Sequence, residues 1–170
     1  IIGFGRVGKQ LANYCLALGM KIAYYDPYLT THEKYQVLGF TAKKYLKELL
    51  TCADIVALTA SVKSLRPILG EEEFKLMKPS SIFINTARGS LVDELSLANA
   101  LERGLISGAG IDVLSNEDQH TQGLISPLES LKEKFSGNLV ITPHIAGASR
   151  DALSIANLGL FEKLLEKFQD

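Results

Sequence analysis

Short apolar runs alternate with amphipathic segments along the whole chain. The runs are IIGF (1–4), MKIAYYD (20–26), DIVALT (54–59), SIFINTA (81–87), SGAGIDV (107–113) and LVITPHI (139–145). Each has the length of a strand, and near-continuous apolar runs belong to parallel strands buried on both faces. Helical spacing fills the intervals. Residues 6–18 read as a helix closed by Gly19, with Val7, Leu11, Cys15 and Leu16 at inward spacing. AKKYLKELL follows with Leu46, Leu49 and Leu50 turned in, then a helix from about 71 to 77 stopped near Pro79. VDELSLANALERG puts Val92, Leu95, Ala98 and Leu101 on one face. A last helix over 149–168 points Leu153, Ala156, Leu160, Phe161, Leu164 and Leu165 inward. The connection over 115–138 is long enough to suggest a function of its own. Six strands with crossover helices predict an α/β fold with a doubly wound parallel sheet.

Composition narrows the partners. With 46% hydrophobic and 22% charged residues, the 170-residue chain has the balance of one ordinary soluble domain. A net charge of −1 and no basic stripe speak against nucleic acid, and no run approaches the roughly 18 apolar residues of a membrane span. Cys15 reads as a small buried hydrophobe and Cys52 sits in no metal-ligand spacing, so a reducing, cytoplasmic setting and no metal are expected.

The first candidate chemistry is GFGRVG at residues 3–8. Gly3 permits a tight turn, Gly5 lets a pyrophosphate approach the backbone, and Gly8 lets the following helix pack close to the strand. The helix N-terminus supplies N–H groups and positive dipole charge, with Arg6 as a further cation. Glycine triplets also occur in plain turns, so context decides: this one follows an apolar strand and opens a helix. The next strand ends at Asp26, where a carboxylate accepts ribose hydroxyls, and Pro27-Tyr28 rather than an arginine follows it. That pattern predicts a Rossmann-type fold binding NAD rather than NADP. A capping role at the strand end is the simpler alternative for Asp26.

Further polar residues close strands on the same edge. Arg88 follows the run 81–87, Asp112 falls at the end of 107–113 with Glu117 five positions on, and His144 lies in TPHIAG. A guanidinium can hold a carboxylate through two parallel hydrogen bonds. An imidazole can exchange a hydroxyl proton, and a carboxylate can orient it and raise its pKa. This is a set able to oxidise a hydroxy acid. Arg88 could equally be a surface ion-pair former and Glu117 a solvated loop acid; His32 and His120 are read as structural.

GFGRVG, YYDP, LMKPSSIFINTARGSLVDE, GAGIDVLSNE and NLVITPHIAGAS stand in the order and register of the D-isomer-specific 2-hydroxyacid dehydrogenases, which the chain resembles over essentially its full length. The resemblance implies that Arg88 binds a substrate carboxylate, that His144 is the general acid/base and that Glu117 is its partner. It further implies that Asp112 holds the nicotinamide carboxamide and that Thr86, Ala87 and Gly147 line the cofactor site. Val7, Ala60, Arg88 and His144 complete the expected cofactor contacts. The family places its cofactor domain within a larger two-lobed enzyme and forms homodimers through it. Residues 1–170 are therefore expected to be that domain alone, with the substrate-binding lobe missing from this chain. Departures are a shorter LTASVKSLRPILG segment without the family's His and Pro, Asp118 in place of a proline after Glu117, and a longer connection over 119–127. They leave the implied catalytic set intact and bear on which 2-hydroxy or 2-keto acid is used. Relatives that act as NAD-responsive corepressors keep the same residues, so a non-enzymatic interaction protein is the competing expectation.

Overall fold

The structure is a computed structural model that describes residues 1–29, 33–61, 66–115, 126–131, 134, 137–147, 149–151 and 154. In chain order its elements are α1 (Arg6–Ala17), β1 (Ala23–Tyr24), α2 (Glu33–Gln36), β2 (Thr41–Ala42), α3 (Leu46–Cys52), β3 (Ile55–Leu58), α4 (Glu71–Leu76), β4 (Ile82–Asn85), α5 (Glu94–Glu102), β5 (Gly108–Ile111), α6 (Pro127–Leu131) and β6 (Leu139–Ile141). A 3₁₀ turn over Gly89–Leu91 precedes α5. All strand pairs are parallel, in the orders β1-β2 and β3-β4-β5-β6.

Ile2 joins the two sheets. It bridges Tyr25 on one side and Leu58 on the other, with its N–H donated to Ala57 at 2.8 Å and the Gly3 N–H to Tyr25 at 2.9 Å. The spatial sequence is therefore β2, β1, Ile2, β3, β4, β5, β6. The chain moves outward from Ile2 to one side and then crosses back to the other. This reversal is the switch point where ligands bind in doubly wound folds.

Two cores follow from this topology. The larger is aliphatic, with Val56, Leu58, Phe83, Leu97, Leu101, Ile111 and Leu139 packed between β3–β6 and the helices α4–α6. The smaller is aromatic: Phe4 stacks on Tyr24 with ring centroids 3.9 Å apart and meets Tyr35 and Phe40 edge-on. On the sheet face opposite α4–α6, Ile55 and Ile82 each remain 41% exposed and Val140 59%.

The described segments carry the expected doubly wound pattern, with local differences. β2 takes Ala42 from the start of AKKYLKELL and α3 begins only at Leu46, because a two-residue strand is too short to display a period. Val92, Ala98 and Leu101 are buried as expected, but Leu95 is exposed and Leu97 buried instead, because the helix starts only after the N-cap Asp93. Val7 and Leu16 are exposed and Cys15 only half-buried, since α1 packs through Gly8 and Ala12. The helix expected over 149–168 falls almost wholly outside the described residues, as do His32 and His120.

Candidate functional site: a cleft at the switch point

The glycine turn is built by close contacts. Gly3 has φ +85°, and a Cβ there would lie 2.5 Å from the Ala60 Cα. A Cβ on Gly8 would lie 2.3 Å from the Gly3 carbonyl oxygen. The Thr59 hydroxyl donates to that same carbonyl at 2.6 Å, locking the turn to the end of β3. Gly5 differs from both. It is the N-cap of α1, no side chain caps the helix, and the space where its Cβ would stand is empty. The first-turn N–H groups of α1 thus face an opening that only a glycine leaves clear, which suits a phosphate.

That opening belongs to a cleft of about 620 Å³ lined by Gly3, Gly5, Arg6, Val7, Asp26 and Ala60, among others. Six of the expected cofactor contacts therefore come together. Gly8 does not line the cleft; it is buried beneath it, which is the packing role expected of the third glycine. Asp26 accepts the Phe4 N–H at 2.7 Å on Oδ2 and the Tyr28 N–H at 2.9 Å on Oδ1. The capping alternative is thus realised. Two acceptor positions suffice for those bonds, and a carboxylate offers about four, so capacity toward the cleft remains.

The other expected residues lie further along the same edge. Asn85, the polar end of the otherwise apolar β4, is 1% exposed. Its amide donates to the Arg88 carbonyl at 3.1 Å and its Oδ1 accepts the Ala87 N–H at 3.0 Å. This side chain shapes the turn over Thr86, Ala87 and Arg88. Sequence reasoning missed it, although a lone Asn closing a buried strand is a readable signal. Arg88 is exposed, its Nη1 resting on the Ala87 carbonyl at 2.6 Å. Gly89 behind it admits no Cβ, which would fall 2.1 Å from the Leu114 carbonyl carbon.

Asp112 is 6% exposed. Its Oδ1 accepts the Thr142 hydroxyl and the Ile145 N–H, and its Oδ2 accepts the Ala146 N–H, the two amides at 3.0 Å. Burial alone would push this carboxyl up. The Thr142 hydroxyl, the two amides and the neighbouring His144 outweigh it and hold Asp112 below the ordinary carboxylate range. Asp112 thereby folds the TPHIA turn. His144 sits exposed at its apex with φ +52°, the one non-glycine positive φ among the described residues. Such a conformation persists only where surrounding bonds fix it. Gly147 is exposed just beyond. Glu117 lies outside the described residues.

A glycine-lined crevice at a parallel-sheet switch point, with polar residues on the adjoining strand ends, defines a dinucleotide-binding α/β domain. Residues 1–146 match the family described as D-isomer specific 2-hydroxyacid dehydrogenase, NAD binding domain, and the chain belongs to that family. It is 36% identical over 156 residues to the glycerate dehydrogenase of Methylorubrum extorquens, covering 91% of this chain and 45% of that protein. It is 34% identical over 171 residues to the D-3-phosphoglycerate dehydrogenase of Escherichia coli K12, covering 100% of this chain and 40% of that protein. The fold matches the crystal structure of D-lactate dehydrogenase from Aquifex aeolicus complexed with NAD and lactic acid. There the TM-score is 0.80 and the identity 32%, covering 98% of this chain and 52% of that one. The chain thus spans under half the length of these curated relatives. Its cofactor is NAD, and the open space at Gly5 and the uncapped start of α1 fit a pyrophosphate.

Proposed function

We propose that residues 1–170 form the cofactor domain of a larger, two-lobed oxidoreductase that interconverts a small 2-hydroxy acid and its 2-keto acid. The observation that carries this reading is the run of Arg88, Asp112 and His144 after three consecutive parallel strands, on the edge where the glycine cleft opens. The family membership and the dehydrogenases among the relatives support turnover over a corepressor-like role.

Bound NAD supplies the hydride acceptor, and NADH the donor. The N–H groups opening α1 and the Arg6 guanidinium hold the pyrophosphate, and Asp26 takes the ribose hydroxyls while disfavouring a 2′-phosphate. Arg88 holds the substrate carboxylate. His144 removes the hydroxyl proton as the substrate C–H leaves as hydride, and returns that proton to the carbonyl oxygen in the reverse direction. Glu117 is the carboxylate partner of His144. Asp112 keeps the imidazole-bearing turn folded, with its remaining acceptor capacity available to a carboxamide. Thr86, Ala87 and Gly147 line the nicotinamide end.

The reading includes a cytoplasmic setting, for which the free thiols of Cys15 and Cys52 fit a reducing compartment. It also includes a homodimer through this domain, for which Tyr14 and Leu18 offer exposed apolar surface on and just beyond α1. Among the described residues no helix is long and apolar enough to cross a membrane. The test is NADH oxidation by the full-length protein with a panel of 2-keto acids. Saturable turnover with at least one supports the reading. NADH binding without turnover on any would favour the interaction protein.

A further inference from the structure

Gly3 meets two demands that oppose each other. The close approach of Ala60 and a φ of +85° require a glycine there, yet a glycine leaves the peptide that follows it free of steric bias. On either side the chain is fixed. The Gly3 N–H is donated to the Tyr25 carbonyl at 2.9 Å, and the buried Phe4 ring stacks on Tyr24 with centroids 3.9 Å apart. The plane of the Gly3–Phe4 peptide between them is the freedom that remains. It turns over when the ψ of Gly3 and the φ of Phe4 change together.

Two side chains close that freedom, one from each half of the sheet. The hydroxyl of Thr59, directly after β3, donates to the Gly3 carbonyl at 2.6 Å. The carboxylate of Asp26, just beyond β1, accepts the Phe4 N–H at 2.7 Å. Carbonyl and N–H point in opposite directions from one peptide plane, so a flip would set the carbonyl oxygen against the Asp26 carboxylate, acceptor against acceptor. Thr59 is itself held, its N–H donated to the Ile2 carbonyl at 2.9 Å. The gripped carbonyl is also the atom against which α1 packs. A Cβ on Gly8 would lie 2.3 Å from it and 2.9 Å from the Thr59 hydroxyl oxygen. The peptide thereby sets how the first turn of α1, with Gly5 at its N-cap, sits on the strands.

We propose that Thr59 is a positioning residue for cofactor binding: together with Asp26 it locks the Gly3–Phe4 peptide and so keeps the glycine turn in the shape that admits a pyrophosphate at Gly5. This rests on the pyrophosphate placement proposed above. Where a binding-competent shape is only partly populated, apparent affinity falls by that fraction. One hydrogen bond at a partly buried carbonyl is worth roughly tenfold in such an equilibrium, and its loss should cost affinity in proportion.

The test titrates the full-length protein with NADH and with ADP, which carries the pyrophosphate but no nicotinamide, and follows amide exchange at Phe4. Thr59→Ala should weaken both ligands by the same factor, about tenfold, and speed exchange of the Phe4 amide although Asp26 is intact. Thr59→Ser, which keeps the hydroxyl, should bind both within about twofold of wild type. Should Thr59→Ala fold poorly, Thr59→Val keeps the branched shape at the strand end without the hydroxyl, and must give the same pattern. Affinities within about twofold of wild type, with only the denaturant midpoint lowered, would overturn the proposal and leave Thr59 as a fold brace. So would a Phe4 amide as protected as before, or a loss confined to NADH. Wild-type protein that binds NADH but no ADP would instead sink the pyrophosphate placement, and the proposal with it. Turnover is not needed: a protein inert toward every 2-keto acid but able to bind NADH is tested in the same way.

Discussion

Asp26 and Asp112 end strands in the two halves of the sheet, and each folds a neighbouring loop with its carboxylate. They do so in different settings. Asp26 is half-buried, takes two backbone N–H groups and stays open to the cleft. Asp112 is buried, takes three donors and has its pKa pulled down by them. The first half makes its site from backbone and missing side chains around a small aromatic core. The second makes its site from buried polar braces, Asn85, Asp112 and Glu94, the last taking the Ser115 N–H and the Ser126 hydroxyl, around a larger aliphatic core. A binding half can be soft at its rim, whereas groups that meet reacting atoms need their turns fixed from below.

The largest effect that would break this comparison is at the glycines. Gly8→Ala sets a Cβ against the Gly3 carbonyl and should destabilise the domain by about 1–3 kcal/mol, read as a lowered denaturant midpoint. Gly5→Ala has open space and should leave that midpoint nearly unchanged, yet weaken NADH by at least about tenfold, on the order of 1.4 kcal/mol. If both variants lost stability alike, the cleft would not be shaped by Gly5 as described.

Asp112→Ala should cost about 1–3 kcal/mol, because the Ile145 and Ala146 amides lose their acceptor. Its pH signature has a definite sign. A depressed folded-state pKa contributes stability fully present above the unfolded value near ~3.9 and lost as pH falls through the folded value below it. Wild-type midpoints should therefore drop on acidification below about pH 4, and Asp112→Asn should flatten that limb. An unchanged limb would show that Asp112 is not held ionised by its turn.

Cofactor choice is a comparable but separate test of the first half. NADH should bind at least about tenfold tighter than NADPH, and Asp26→Asn should narrow the gap; titration of both checks it. The smallest effects belong to the exposed pairs Lys78–Asp54 at 2.8 Å and Lys134–Glu102 at 2.7 Å, where alanine should change stability by less than about 0.5–1 kcal/mol.

The two halves also differed in how far the sequence revealed them. Gly3, Gly5, Gly8 and Asp26 were legible because backbone demands leave few residue choices. The strand ends bearing Arg88, Asp112 and His144 were legible from apolar runs that close on a polar residue. Asn85 carried a readable signal, a lone amide closing an apolar run, that went unused; Glu94 carried none, because an acid opening a helix reads the same whether exposed or buried and only tertiary contact separates the two. On α5 the expected inward face held at Val92, Ala98 and Leu101 and failed only at Leu95, because the helix starts after the N-cap Asp93 rather than at Val92. Glu117 was named from the sequence and lies outside the described residues, so its role stands as part of the proposed function.

The division of labour itself is tested most directly by His144→Ala in the full-length protein, measuring NADH affinity and single-turnover hydride transfer on one preparation. The account predicts an affinity within about twofold of wild type and a rate lowered by about 10²–10⁴-fold. A rate loss below about tenfold, or a collapse of NADH binding to match it, would contradict a binding half and a chemical half joined at one sheet edge.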